Sequence, residues 1–526
     1  TLRGCPCGQP HMTRGRCGSL SLHRVTLAFT TPRRFIPALS GIAPEATYQF
    51  KHALIRDAAY EALLKSRRKE LHQLVAKTID SRFPAIKETH PELLARHWTE
   101  AGETELAIAQ WSKAGNAAES RNAFLEAQES YQRALALLNL LPQSPERDLR
   151  ELQLRDSLRI VLSITRGWAA PEAIEVAEKA RVLAEKSGNL GILVRSMLTK
   201  SFHACVAGDH STSVALADDA LELALREGNP TTLAYLYMLL VTVRFSLGDF
   251  AAVENHFAAG LKFFDDPVFR QNPAGGAIAA FGWASWNAWM LGRADVARER
   301  MAKMQAAVNP AHPHDLPWSE LLSAALYASL RENDSAEALA AHALDLCEKN
   351  QFPNDAASSR CILGHAKAQL GRAADGIALM RQGIDKRIRI GNRAGVPDAI
   401  TSLAAAQLRA GAIGDALETV ERALNFNPEE VVGRPETLRI RGELWLKQGD
   451  LQLAEADFRD SIAMARSMGA KAWELRTTMS LARLLAQRGR GDEARSMLAD
   501  IYNSFTEGFD TPDLKDAKAL LDQLSA

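Results

Sequence analysis

Turn-forming residues recur along this chain at a nearly fixed interval, and that interval restricts the fold more than any other feature. Gly208, Gly248, Gly292, Asn333, Gly371, Gly411, Gly449 and Gly489 are separated by 40, 44, 41, 38, 40, 38 and 40 residues. Five positions after each anchor the residue is small or nearly so: Ser213, Val253, Ala297, Ala338, Gly376, Ala416, Ala454 and Ala494. Between anchors run stretches of helical periodicity, such as TLRIRGELWLKQ before Gly449 and LQLAEADFRDSIAMARSM after it. Each period therefore reads as one helical hairpin, with the small residue letting its second helix approach the first. A lone hairpin leaves an apolar face uncovered, so neighbours must stack, and the expected fold is an all-α solenoid of antiparallel helix pairs.

The segments AGETELAIAQW and GDLQLAEADFRDSI make the repeats tetratricopeptide-like. The interval exceeds the roughly 34 residues of the standard unit, and armadillo-type repeats are the structural alternative. Four regions are expected. Residues 1–45, rich in Gly, Pro, Arg and Cys, form an irregular, disordered or non-native arm, and residues 46–90 a helical junction. Repeats fill 91–511, and residues 512–526 form a capping helix that begins at Pro512.

Charge and composition exclude several classes of function. Lys plus Arg (63) equals Asp plus Glu (63), so the chain lacks the basic footprint of sequence-independent nucleic-acid binding. The longest apolar stretch, residues 233–243, is far short of a membrane span and is closed by Arg244. Arg and Cys interrupt the N-terminus where a signal peptide has an apolar core, which makes the cytoplasm the expected compartment. Cys5, Cys7 and Cys17 lie near the start, while Cys205, Cys347 and Cys361 are scattered through helical sequence, which is no disulfide framework. Cys5, Cys7, His11 and Cys17 offer zinc-type donors, but their CxC spacing is not the usual CxxC pair and no metal is expected.

Catalytic patterns are missing too. No GxxxxGK[ST], HExxH, GxSxG or pair of CxxC occurs, so no catalytic, cofactor-binding or metal-binding residue is assigned. His312 and His314, in the Pro-rich NPAHPHDLPW, read as a solvated loop. Trp283, Trp286 and Trp289 follow helical spacing and read as core packing rather than a recognition stripe.

Two segments carry a resemblance. PEATYQFKHALIRDAAYEALLKSRRKELHQLVA, at residues 44–76, resembles the junction after the ATPase module of large bacterial signalling proteins. In those proteins a class III adenylate/guanylate cyclase domain, a STAND-type ATPase and tetratricopeptide repeats share one polypeptide. The ending from Trp473 onward resembles their C-terminus. The resemblance implies the regulatory repeat region of such a protein, with cyclase and ATPase modules upstream as intramolecular partners and no catalytic residue carried over. Related ATPase-plus-repeat proteins that regulate transcription are the alternative.

Charge counted by layer suggests what the repeats hold. In solenoids of this kind the first helix of each hairpin lines the inner groove. Over eight hairpins the first helices sum to +7 and the second helices to −8. A basic groove inside an acidic shell would suit an acidic peptide or an acidic protein surface, because Arg pairs carboxylates through two parallel hydrogen bonds. Arg195, Arg360, Arg439, Arg441 and Arg476 are the candidate contacts.

Overall fold

A computed structural model describes residues 38–40, 47–49, 57–58, 60–166, 170–187, 190–270 and 276–525. Cys5, Cys7, His11 and Cys17 lie outside the described residues. The chain divides into two compact units, residues 1–117 with 133–140 and residues 118–132 with 141–526. Among the described residues no helix is long and apolar enough to cross a membrane.

The first unit holds a small antiparallel ribbon of β1 (Ala38–Ser40) and β2 (Thr47–Gln49), in which Leu39 opposes Tyr48. Helices α1 (Lys65–Arg82), α2 (Pro84–Thr89), α3 (Pro91–Ala101) and α4 (Thr104–Ser120) follow. Leu71 and Val75 of α1, Leu94 and Trp98 of α3, and Ile108 and Trp111 of α4 are buried. The Trp111 indole donates to Thr99 Oγ1 at 2.9 Å, so the ring hides its polar edge without leaving it unsatisfied. The division between the units passes through α5 (Phe124–Leu138).

The second unit opens with α6 (Pro145–Arg166) and α7 (Pro171–Ser187) and continues as the hairpins that the spacing predicts. They are α8 (Leu190–Ala207) with α9 (His210–Glu227), then α10 (Pro230–Ser246) with α11 (Phe250–Gly260). A single turn, α12 (Pro267–Arg270), precedes α13 (Gly276–Met290) with α14 (Ala294–Ala306). Next come α15 (Asp315–Ser329) with α16 (Asn333–Lys349), and α17 (Pro353–Gln369) with α18 (Ala373–Arg389). The series ends with α19 (Val396–Arg409) and α20 (Ile413–Phe426), α21 (Arg434–Gln448) and α22 (Leu451–Met468), α23 (Lys471–Gln487) and α24 (Gly491–Tyr502), and the last helix α25 (Pro512–Ser525). The second unit is thus an all-α solenoid.

Local signals explain these boundaries. Asp209, Asn229, Asp249 and Asp450 cap helices by accepting the backbone N–H three residues on. Seven of the eight expected anchors are glycines with positive φ, the left-handed conformation that closes a helix without a Cβ penalty. The eighth differs. Asn333 is the first residue of α16, and the left-handed residue is Arg331 at φ 63°. The small residue five positions on is therefore Ala336, fully buried, and Ala338 is exposed.

Arg331 tolerates this conformation because its guanidinium reaches Asp513 Oδ1 at 3.1 Å and Asp516 Oδ2 at 2.6 Å. Truncating it to alanine loses those pairs and keeps the strain, whereas glycine relieves the strain. Arg331→Gly should therefore unfold at higher denaturant than Arg331→Ala, by about 1 kcal/mol in chemical denaturation. Equal stability of the two variants would refute the left-handed assignment.

Successive hairpin turns also meet chain about five hairpins later. Arg393 N donates to Val206 O at 2.8 Å, and Val431 N to Ser246 O at 3.2 Å. The N–H groups of Asp295 and Val296, at the start of α14, share Glu507 Oε1 at 2.9 and 3.1 Å. Arg298 reaches Asp510 and Arg331 reaches Asp513. Consecutive turns of the superhelix are joined along a seam.

At one end of that seam His210 Nε2 lies 3.5 Å from Glu430 Oε2, both side chains almost fully buried. Burial alone would depress the imidazole, but the Cys205 thiol and the Glu430 carboxylate beside it raise it to about 10. A folded pKa above the unfolded value stabilises fully below about 6.5, the unfolded value, and the gain is lost as pH rises through 10. Glu430 Oε1 accepts from Gly395 N at 2.7 Å. Hydrogen exchange at Gly395 and Val431, corrected for intrinsic rate, should accelerate between pH 7 and 10 in the wild type. His210→Gln should flatten that dependence, and the same profile in both proteins would assign the effect elsewhere.

Candidate functional site

The first helices of the hairpins surround a cavity of about 1130 Å³, lined by residues of α6, α8, α10, α13, α15, α17, α19, α21, α23 and α25, by single residues of α12, α16 and α18, and by the loops between them. Its wall is apolar on one stretch and charged on another.

The apolar stretch is aromatic. Periodicity along α13 puts Trp283 and Trp286 on the inner face and Trp289 in the core. Trp283 and Trp286 stack at 5.7 Å, and Phe245 of α10 packs at 5.4 Å from each. Trp318 of α15 lines the same cavity. The expectation of core packing thus fits Trp289 and needs correction for Trp283 and Trp286, which are half-buried and face the lumen. Composition and spacing do not distinguish the two situations, since one helix turn separates them.

His314 also differs from the solvated reading. It is buried, stacks beside Trp318 and sits with Nε2 2.7 Å from Asp355 Oδ2. The Asp355 carboxylate comes from the start of the next hairpin, and that partner gives the imidazole a reason to be inside.

The charged stretch holds eight arginines and eight carboxylates. The basic groove suggested by the helix sums is therefore balanced on its surface. The reason is that the loops and α25 contribute acids, such as Glu430, Asp513 and Asp516, that no first helix contains.

Each candidate arginine has a definite place. Arg476 lines the cavity beside the paired Trp289 and Trp473 rings, its guanidinium carbon 5.1 and 5.2 Å from their centroids. It also reaches Asp513 Oδ2 at 2.7 Å and donates to Ser329 O at 2.6 Å. Arg439 lines the cavity and forms two parallel bonds to Glu436, both at 2.7 Å. Arg195 lines it with its side chain exposed and, among the described residues, without a carboxylate partner. Arg360 and Arg441 do not line it. Arg360 pairs with Glu348 of α16, and Arg441 clamps Asp457 of α22 through two bonds of 2.8 Å while also reaching Glu421 of α20. Both tie adjacent helices together.

Sequence reasoning passed over Arg409 and Arg483. Arg409 ends α19 and Arg483 lies about one turn before the end of α23; both line the cavity and have no carboxylate partner among the described residues. Burial and the neighbouring guanidiniums of Arg439 and Arg331 lower the Arg409 pKa. His365 of α17, pushed down to about 4 by burial and by the charges of Arg476 and Arg409, is neutral at physiological pH. Asp398 is pushed up to about 7, first by burial and then by Glu430, so close to half of it is uncharged near neutrality. Asp398 apart, the charge facing the lumen without an ion-pair partner among the described residues is basic. Among the described residues no group of three or more His, Cys, Asp and Glu is arranged to hold a metal ion.

Residues 320–520 match the family described as the MalT-like TPR region. That stretch is built of tetratricopeptide-type repeats. An uncharacterized protein of Rhizobium meliloti (strain 1021) is 24% identical over 464 residues, which cover 84% of this chain and 44% of that protein. The chain thus spans less than half the length of this curated relative. Two solved structures match this chain at 13% identity. One, a Rap protein complexed with competence and sporulation factor, covers 80% of this chain and 99% of its own at a TM-score of 0.39. The other, the APC/C hetero-tetramer Cut9–Hcn1, covers 90% and 95% at a TM-score of 0.43.

Proposed function

We propose that the tetratricopeptide-type superhelix is a protein-interaction scaffold whose inner channel receives an extended segment of a partner. Occupancy of the channel then controls a cyclase or ATPase module of a longer signalling protein. The observation that carries this reading is the channel itself. At about 1130 Å³ it has the size of a pocket that encloses a ligand, too small for a folded domain, and it offers an aromatic face with convergent polar groups. The match to a MalT-like TPR region supports a second reading, in which the same channel serves an ATP-dependent regulator of transcription.

The test is selection of binders from a random dodecapeptide library displayed on phage. Ala325 and Ala328 of α15 line the lumen, so Ala325→Trp with Ala328→Trp should obstruct it. Enriched peptides are expected to bind the wild type and to lose at least about tenfold in affinity for the obstructed variant. Peptides that bind both equally, or no enrichment at all, would overturn the channel as the binding surface.

A further inference from the structure

The aromatic and basic stretches of the channel are joined. The Trp286 indole donates to Ser329 Oγ at 3.0 Å, and the carbonyl of the same Ser329 accepts from Arg476 at 2.6 Å. Two residues on, Arg331 lies close enough to Arg409 to repel it, as does Arg439. His365 lies within the field of both Arg409 and Arg476. A continuous path therefore runs from the stacked Phe245, Trp283 and Trp286 rings to the Arg409 guanidinium.

Pairing decides which charges along that path are available. Arg331, Arg439 and Arg476 already hold carboxylates of this chain, and Arg387 donates to the carbonyls of Ala394 and Gly395. Arg159 pairs with Asp156. Arg409, Arg483 and Arg195 remain, each facing the lumen without a carboxylate among the described residues. On the acidic side His314 takes Asp355, and Glu430 is held by His210 and the N–H of Gly395. An incoming anion thus meets guanidiniums that no acid among the described residues pairs with, and at Arg409 it relieves like-charge repulsion as well.

We infer that the channel is specific for an extended peptide segment in which a carboxylate side chain lies close to a bulky apolar one. The apolar group rests on Trp283 and Trp286, and the carboxylate pairs with Arg409. Arg483 and Arg195 serve further acidic positions of the same segment. A segment of basic or purely apolar residues leaves Arg409 unpaired in a confined space and is rejected.

This inference rests on the channel being the binding surface, and the test separates the two. Among dodecapeptides selected on the wild type, Asp or Glu should be enriched within a few positions of Trp, Phe, Leu or Met. A synthetic copy of the tightest peptide should bind at least about tenfold more weakly when its acids are replaced by Asn or Gln. Arg409→Gln should weaken the acidic peptide to a similar degree and leave its neutral counterpart unchanged. Arg409 makes no ion pair among the described residues, so the variant should melt like the wild type. Trp286→Leu should cost affinity for both peptides alike. Raising salt from 0.1 M to 1 M, which shortens the screening length from about 10 Å to about 3 Å, should erase the difference between acidic and neutral peptides. Peptides that need an open channel yet show no acid preference, or an acid preference indifferent to Arg409→Gln, would overturn this inference and leave the channel reading intact. Binding indifferent to obstruction of the lumen would overturn both.

Discussion

Arg476→Met is expected to destabilise the second unit by about 3 kcal/mol, read as a lower denaturant midpoint at unchanged slope. Both Arg476 and Asp513 are largely buried, at 14% and 13% side-chain exposure. Removing the cation leaves Asp513 in a poorly solvated site with only Arg331, itself half-exposed, for compensation. It also leaves Ser329 O without this donor and removes the guanidinium that packs on both indoles. Adding Asp513→Leu should recover part of the loss, because an apolar pair carries no desolvation cost. The coupling between the two sites should exceed about 1 kcal/mol. A strictly additive double variant would show that Arg476 acts through packing alone.

A comparable loss is expected where α17 and α18 cross. A Cβ added at Gly376 would stand 2.3 Å from Gly364 O, and one added at Gly364 would stand 2.6 Å from Gly376 O. Here backbone meets backbone, so no side chain can swing away. Gly376→Ala should force the helices apart at a cost of about 3 kcal/mol. Gly414, in the first turn of α20, has nothing within 4 Å of its added Cβ. Gly414→Ala should stabilise by up to about 1 kcal/mol through helix propensity and a less flexible unfolded chain. The opposite signs form the test. A neutral Gly376→Ala would mean that the crossing has room to relax.

The periodic part of this architecture was readable in the sequence because it depends on local chemistry. A left-handed glycine closes each first helix, and a small residue five positions on marks where the two helices touch. The one slip, Asn333 for Arg331, arose where an interaction with Asp513 and Asp516 overrides the usual preference for glycine. Such a partner, more than 180 residues away, leaves no local trace. The same distance effect hid the charge of the channel. Helix sums identified arginines but not the acids that loops and α25 bring to them, so engaged residues such as Arg476 looked identical to unengaged ones such as Arg409. Trp283 and Trp289 likewise differ only in which neighbour each faces.

The seam between superhelical turns changes what kind of object the second unit is. Stacked repeats coupled only to their neighbours in sequence can gain or lose a unit almost anywhere, since each new unit brings its own two interfaces. Here the turn at Gly208 must find the chain near Arg393 and Asn427, the turn at Gly248 the chain near Val431, and α14 the chain at Glu507. Inserting one whole hairpin between α15 and α18 would move every one of these partners out of phase together. The number of hairpins per revolution is thus locked, and duplication, the ordinary route by which repeat proteins change length, is closed to the interior of this one.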